Sequence, residues 1–265
     1  MASAAVSDPI LRVDSLVKRF GGLKAVDGAS VSVERGSITA VIGPNGAGKT
    51  TLFNLVTGFI RPDGGVIELD GRSIYRHAPY QIARCGMMRT FQLPKVLGAM
   101  TVLENMLLGG AANPGERLLG LACHPIRWRR RERELRADAL ELLERFRLDK
   151  HASAYAATLS GGQRKLLEMA RLLMSRPRLI LLDEPLAGVH PVLGQQLIEH
   201  MHALRAERGT TFLFIEHDME TVMTNADAIV VMAQGRVIAA GTPAVVRQER
   251  KVIDAYLGSN AEDAS

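Results

Sequence analysis

Cysteine and aromatic residues are scarce in this chain of 265 residues. Its two cysteines, Cys85 and Cys123, have the spacing of neither a disulfide framework nor a metal site. We therefore expect a reducing compartment such as the cytosol. Aromatic residues make up 5% of the chain, and the single Trp128 offers nucleic-acid bases no stacking platform.

Long apolar runs are also missing. No stretch approaches the ~20 apolar residues that a membrane-spanning helix requires. Residues 1–8 lack the basic start and the apolar segment of a secretory signal peptide. We therefore expect a soluble or peripheral protein. The contents of hydrophobic residues (47%) and charged residues (23%) are ordinary for an α/β domain with a subdomain.

The net charge is +5, and residues 127–136 are rich in arginine. Such a segment can bind nucleic acid or anionic lipid. It can also be the solvated face of an amphipathic helix, because apolar residues recur at helical spacing at its end and just after it. These apolar residues are Leu135, Ala139, Leu142, Leu143 and Phe146. We favour the helix and expect no nucleic-acid partner.

Residues 43–50 have the G-x-x-x-x-G-K-T spacing of a phosphate-binding loop, between a predicted strand at 37–42 and a helix predicted to begin near Lys49. In such loops, glycines let backbone N–H groups cradle phosphates, and the following helix adds its positive N-terminal end. Lys49 supplies a point charge, and the hydroxyl of Thr50 suits Mg²⁺. The residues expected to bind the nucleotide are Gly43, Pro44, Asn45, Gly46, Ala47, Gly48, Lys49, Thr50 and Thr51.

Two carboxylates follow the apolar stretch 179–182, which predicts a strand. Beside a phosphate loop, Asp183 is expected in the Mg²⁺ shell. Glu184, one residue nearer the loop, is the better candidate for polarising an attacking water. Solvation of the strand end, or a helix cap, is the alternative for this pair.

The segment Leu159–Gln163 begins a predicted helix, with Ser160 at its N-cap position. A small hydroxyl, glycine N–H groups and a helix N-terminus also form an anion site. From its position we expect Ser160 to cap the helix, at a place whose chemistry also suits an anion. A capping box of Thr101 and Glu104 predicts the start of another helix.

Together these motifs resemble the phosphate loop, the acidic strand end and the Leu-Ser-Gly-Gly-Gln signature of ATP-binding-cassette (ABC) ATPases. The resemblance implies hydrolysis of ATP with Mg²⁺ in a head-to-tail dimer. In such a dimer, the signature of one subunit contacts the γ-phosphate that the other subunit holds. The signature residues that the resemblance assigns to this contact are Ser160, Gly161, Gly162 and Gln163.

The same resemblance implies roles for three single residues. Gln92 matches the glutamine that contacts Mg²⁺ or water and senses the transmembrane partner. His217 matches the histidine that holds the γ-phosphate and Glu184 in place. Phe20 matches the aromatic residue that stacks on adenine, with a core phenylalanine as the alternative. The implied catalytic residues are Glu184, His217 and Gln92, and the implied Mg²⁺ ligands are Thr50, Gln92 and Asp183.

Strands that alternate with helices predict a largely parallel sheet. The expected fold class is α/β: a phosphate-loop (RecA-like) ATPase core with an N-terminal antiparallel β portion and an inserted all-helical subdomain. We expect the first part of the core, with the phosphate loop, at residues 1–92 and the helical subdomain at 93–158. The second part of the core is expected at 159–240, followed by a C-terminal tail at 241–265.

Within the ABC family, the chain resembles the ATPase subunit of branched-chain amino acid importers. Related ATPases of urea or amide importers and of lipid or lipopolysaccharide exporters share much of the pattern and remain alternatives. A soluble ABC ATPase that acts on DNA or ribosomes is disfavoured, because the stretch between Gln92 and Leu159 is too short for a long coiled coil. The resemblance to the importers lies in residues 20–26, 89–92, 100–105, 184–191 and 254–258.

The importer resemblance also implies a location and partners. We expect a peripheral protein at the cytoplasmic face of the cell membrane. Its expected partners are a second ABC ATPase subunit in a homodimer or heterodimer, two transmembrane permease subunits and, indirectly, an extracytoplasmic substrate-binding protein.

One residue departs from the family pattern. Most ABC ATPases carry Asp at the D-loop position, and these importers usually carry Asn, whereas this chain has His190. Imidazole can still hydrogen-bond across a dimer interface, but it gains charge near neutral pH. We expect this histidine to give ATP turnover a pH dependence on the acidic side that His190→Asn removes.

Overall fold

The computed structural model describes residues 8–90, 96–110 and 125–262. The chain divides into two compact units. One, here called the core unit, comprises the described residues of Met1–Arg89, Arg178–Pro185 and Met201–Ser265. The other, here called the helical unit, comprises those of Thr90–Pro177 and Leu186–His200.

An antiparallel sheet forms the N-terminal part of the core unit, with strand order β2-β1-β4-β5. Buried and exposed residues alternate through the first half of β1, as expected when one face of a sheet packs on the core. The four strands are β1 (Leu11–Phe20), β2 (Leu23–Val33), β4 (Gly64–Leu69) and β5 (Arg72–Ser73).

A second sheet of the core unit has the order β10-β9-β3-β8-β7-β6 and is parallel except for the β9–β10 pair. Every residue of its central strands β3, β7 and β8 is buried, since helices cover both faces of such sheets. Its strands are β3 (Ile38–Ile42), β6 (Met87–Arg89), β7 (Leu179–Asp183), β8 (Thr211–Ile215), β9 (Ala228–Ala233) and β10 (Arg236–Gly241). Together the two sheets confirm the predicted α/β class.

The helices of the core unit connect and follow these strands. Helix α1 begins directly after the phosphate loop, so that loop lies at the carboxyl end of β3. The helices are α1 (Lys49–Val56), α2 (Pro79–Arg84), α7 (Met219–Asn225), α8 (Pro243–Gln248) and α9 (Arg250–Glu262).

The helical unit contains α3 (Val102–Leu108), α4 (Pro125–Arg145), α5 (Gly161–Leu173) and the part of α6 (Pro191–Arg208) up to His200. The predicted apolar stripe of α4 is buried, and α4 packs against α3 and α5. This unit includes more of the chain than the stretch 93–158, so the expected domain boundaries stay a prediction. Nowhere in the described ranges is a helix both long and apolar enough to cross a membrane.

Candidate functional site

A cavity of about 600 Å³ opens in the core unit around the phosphate loop. Four separate parts of the chain reach it besides the loop: the β1–β2 hairpin, the end of β7, the residue that follows β8 by two positions, and the turn between β9 and β10. The lining residues are Phe20, Leu23, Lys24, Ala25, Asn45, Gly46, Ala47, Gly48, Lys49, Thr50, Thr51, Glu184, His217, Gln234 and Gly235.

Close backbone approach makes glycine necessary in the phosphate loop. Gly43 has φ +147°, and a Cβ there would lie 2.0 Å from the carbonyl oxygen of Met232. Gly48 has φ +96°, and a Cβ there would lie 2.4 Å from the carbonyl oxygen of Ala25. The loop conformation is therefore one that L side chains at these two positions would destroy.

The side chain of Lys49 folds back over the loop. Its ammonium donates to the carbonyl oxygens of Gly43 at 2.7 Å and Pro44 at 2.9 Å. Burial lowers the pKa of Lys49, and the nearby carboxylates of Glu184 and Asp183 oppose that shift. Gly48, at the N-cap of α1, has no side chain to cap the helix, so the first turn presents backbone N–H groups to an anion.

Glu184 and His217 come into contact at the cavity. Glu184 directly follows β7, and His217 lies two positions after the end of the neighbouring parallel strand β8. Both residues therefore lie at the same edge of the sheet. The Glu184 Oε1 to His217 Nε2 distance is 2.9 Å. Glu184 has φ +49°, a left-handed conformation that is uncommon for a residue with a side chain and recurs at functional sites.

Phe20 ends β1 at the cavity and is 48% exposed, which excludes a core position for its ring. The ammonium of Lys18 lies 5.5 Å from the ring centroid. An exposed aromatic face at a cavity of this kind can stack on a planar base.

The residues present fit Mg²⁺ by their donor chemistry. Thr50 lines the cavity, and Asp183 lies near enough to Lys49 to act on its pKa. Hydroxyl and carboxylate oxygens are ligands that Mg²⁺ takes, usually together with phosphate oxygens rather than from an all-protein cage. The described residues contain no cluster of three or more His, Cys, Asp or Glu that could hold a metal ion.

The signature segment lies in the helical unit, where it forms a capping box at the start of α5. The hydroxyl of Ser160 accepts from the Gln163 N–H at 3.2 Å, and the Ser160 N–H donates to Gln163 Oε1 at 2.9 Å. In the same unit, His190 Nδ1 accepts a hydrogen bond from the Val192 N–H at 3.4 Å. The anion-binding role of Ser160 and the role of His190 stay predictions.

Gln92 lies outside the described residues, so its expected contact with Mg²⁺ or water stays a prediction.

Three groups of residues at the site were not predicted from the sequence. Leu23, Lys24 and Ala25 line the cavity from a hairpin, and Gln234 and Gly235 line it from a turn. Arg89, which pairs with Asp183 at 2.7 Å, was noted only within the importer resemblance at 89–92, without a role.

Comparisons with known proteins identify the family of the chain. Residues 26–187 match the family described as ABC transporter, and residues 236–262 match the family described as branched-chain amino acid ATP-binding cassette transporter. The chain is 45% identical over 253 residues to the high-affinity branched-chain amino acid transport ATP-binding protein BraF of Pseudomonas aeruginosa, covering 96% of this chain and 99% of that protein. It is 41% identical over 253 residues to LivG of Escherichia coli, with the same coverage.

A solved structure is similar as well. The crystal structure of the ADP conformation of an ATP-binding cassette from an ABC transporter superimposes with a TM-score of 0.81 at 41% identity. The match covers 95% of this chain and 99% of that one. By family match, identity and fold, the chain belongs to the ABC transporter family, among its ATP-binding cassettes.

Proposed function

We propose that this chain is the ATP-hydrolysing subunit that energises a membrane importer of branched-chain or other hydrophobic amino acids. One observation carries the hydrolytic part: the 2.9 Å contact between Glu184 and His217 at a cavity lined by a phosphate-binding loop. The importer part is supported by the similarity to branched-chain amino acid transport ATP-binding proteins over nearly the whole chain.

ATP binding is assigned to the loop and to Phe20. The backbone N–H groups of the loop residues Asn45 to Thr51, which include the start of α1, hold the phosphates, and Gly43 and Pro44 complete the loop. The ammonium of Lys49 leaves the carbonyl oxygens of the loop and turns to a phosphate oxygen. The ring of Phe20 stacks on the adenine.

Mg²⁺ would be held by Thr50, Asp183 and Gln92. There it would supply positive charge to offset the negative charge that develops on the phosphate during hydrolysis. The protein supplies oxygen donors from a helix start and a strand end, which the fold brings to one edge of the sheet.

Glu184 is the proposed general base. Its carboxylate accepts a proton from the attacking water, and His217 holds that carboxylate through Oε1. Glu184 has a left-handed backbone conformation, and the residue lines the cavity. A base fixed in this way loses little conformational freedom when the water is activated.

A second ATP-binding subunit completes the site. Ser160, Gly161, Gly162 and Gln163 would contact the γ-phosphate that the partner holds, in a homodimer or a heterodimer. Two permease subunits would form the pore, with an extracytoplasmic binding protein delivering the substrate, and this chain would lie at the cytoplasmic face of the membrane.

Glu184→Gln tests the hydrolytic assignment. The amide keeps the shape and the nucleotide contacts but cannot take a proton, so ATP binding should persist while turnover falls by about a hundredfold or more. Phosphate release and equilibrium ATP binding would be measured. Glu249→Gln, which makes the same change on an exposed residue outside the cavity, is the control. Unchanged hydrolysis in Glu184→Gln would show that another group is the base.

Uptake measurements test the transport assignment. Cells that lack this gene should lose uptake of leucine, isoleucine or valine within a panel of amino acids. The unaltered gene should restore it, whereas Glu184→Gln should not. Loss of urea or amide uptake instead, or of lipid export, would contradict the assignment of substrate.

A further inference from the structure

Arg89, the last residue of β6, forms a buried ion pair with Asp183 at the end of the neighbouring strand β7. Its Nη2 donates to Asp183 Oδ2 at 2.7 Å, and the two side chains are 6% and 5% exposed. Burial strengthens such a charge-assisted hydrogen bond and also makes either partner costly to leave alone. The Asp183 carboxylate is therefore constrained by a partner inside the core unit.

The other terminal nitrogen of the same guanidinium forms hydrogen bonds at helix α1. Arg89 Nη1 donates to Asn54 Oδ1 at 2.6 Å and to Thr57 Oγ1 at 3.2 Å. The Thr57 hydroxyl gives its own proton to the carbonyl oxygen of Phe53, which leaves its oxygen to accept from Arg89. The guanidinium carbon lies 5.7 Å from the Phe53 ring centroid and 5.9 Å from that of Phe59.

The planar guanidinium of Arg89 therefore bonds to two separate elements, the region of α1 and strand β7. Helix α1 begins at Lys49, so Asn54 belongs to the helix that continues the phosphate loop, and Thr57 is the C-cap residue of that helix. Asp183 belongs to the strand that leads to Glu184. A planar guanidinium can hold both at once, because its N–H groups point in fixed and divergent directions. An ammonium has no such fork.

We propose that Arg89 is a positioning residue, which holds the Asp183 carboxylate in a fixed orientation relative to the phosphate-loop helix so that Asp183 can serve Mg²⁺. The inference rests on the proposed function, in which Asp183 is a Mg²⁺ ligand. Groups that orient a metal ligand by hydrogen bonding commonly change metal affinity or activity 10- to 100-fold when they are replaced.

A purely structural role for the ion pair would give a different result. If Arg89 only stabilised the fold, its replacement would weaken ATP binding alike with and without Mg²⁺, or would leave both unchanged. If it positions Asp183, the effect must be confined to the metal-dependent part of binding.

Arg89→Lys in the full chain separates the two. The lysine keeps the charge and loses the fork. ATP affinity would be measured by calorimetry in EDTA and again across a Mg²⁺ titration. We expect affinity in EDTA within about twofold of the unaltered chain, and a Mg²⁺ concentration for half-maximal enhancement of binding raised about tenfold. Turnover at saturating ATP should show the same increase in Mg²⁺ requirement.

Arg205→Lys is the control. Arg205 pairs with Asp227 at 2.7 Å in the same unit. This pair is more exposed than the Arg89–Asp183 pair and lies outside the cavity. Arg205→Lys makes the same chemical change and should leave the Mg²⁺ requirement unaltered. An unchanged requirement in Arg89→Lys, or equal losses in EDTA and in Mg²⁺, would overturn the inference. Failure of the unaltered chain to bind ATP at all would instead contradict the proposed function, and the inference with it.

Asn54→Ala covers the case in which Arg89→Lys does not fold. It removes the 2.6 Å contact with α1 and leaves the ion pair with Asp183 in place. The same selective increase in Mg²⁺ requirement, smaller in size, is expected. No selective change in this variant would overturn the inference as well.

Discussion

The side chain of His200 lies in surroundings that disfavour its charged form. In the helical unit, His200 packs on Phe146 with ring centroids 4.2 Å apart. Burial lowers the pKa of His200, Arg145 and Arg147 lower it further, and Glu199 opposes them. The folded protein therefore holds this histidine neutral more firmly than the unfolded chain does.

The acid stability of the protein should depend on His200. As the pH falls through the ordinary histidine pKa of 6.5, the unfolded chain takes up the proton before the folded protein does. Folding is therefore favoured above that pH, and stability is lost as the pH falls towards the lowered pKa. His200→Leu should show a smaller drop in melting temperature between pH 7.5 and pH 5.5. An identical drop in both proteins would show that His200 contributes nothing.

At the scale of elements, the same capping box begins two helices of the helical unit. Thr101 and Glu104 start α3, and Ser160 and Gln163 start α5. Both patterns are readable in the sequence because a cap involves residues only three positions apart. The structures of the two boxes are alike, so capping alone does not distinguish Ser160.

Ser160→Ala is expected to have two separate effects. Loss of the cap should lower the free energy of unfolding by about 1 kcal/mol. ATP turnover should fall by more than tenfold, because the hydroxyl is also proposed to contact the partner's γ-phosphate. Thr101→Ala removes the equivalent cap from α3 and should lower stability without the loss of turnover. Equal turnover in the two variants would show that Ser160 caps the helix and has no role in ATP turnover.

At the scale of the whole molecule, the C-terminal helix α9 returns to the phosphate loop. It packs against β10, and the backbone of Gly43 hydrogen-bonds the phenol of Tyr256. Burial raises the pKa of Tyr256, and this hydrogen bond partly offsets the increase. The N–H of Gly43 thus donates to the phenol oxygen of Tyr256, and its carbonyl oxygen accepts from Lys49. The segment matched by the branched-chain family, residues 236–262, includes this tyrosine.

Tyr256→Phe should weaken ATP binding. The phenylalanine ring fills the same space but leaves a backbone group of Gly43 without its hydrogen bond, and such a bond contributes about 1 kcal/mol. We expect the dissociation constant for ATP to increase about fivefold. Tyr80→Phe, which removes the hydroxyl of an exposed tyrosine in the same unit, is the control. Equal ATP affinity in both variants would contradict a role for the C-terminal helix.

Sequence reasoning identified the parts of the fold that depend on neighbours along the chain. The strands at 37–42 and 179–182 were readable from apolar runs, and β3 and β7 lie there. The α4 stripe was readable from its helical period. Domain boundaries were harder to predict, because the limits of a compact unit depend on which distant segments pack together. Helix α5, for example, belongs to the helical unit.

By itself, the sequence determined the phosphate loop, the acidic strand end and the helix caps, since each is a pattern of a few consecutive residues. Only the tertiary structure decided which groups meet. Glu184 meets His217 and Arg89 meets Asp183 because neighbouring parallel strands end at one edge of a sheet. Gly43 meets Tyr256 because the last helix packs back onto the core unit. No local pattern encodes contacts of that range.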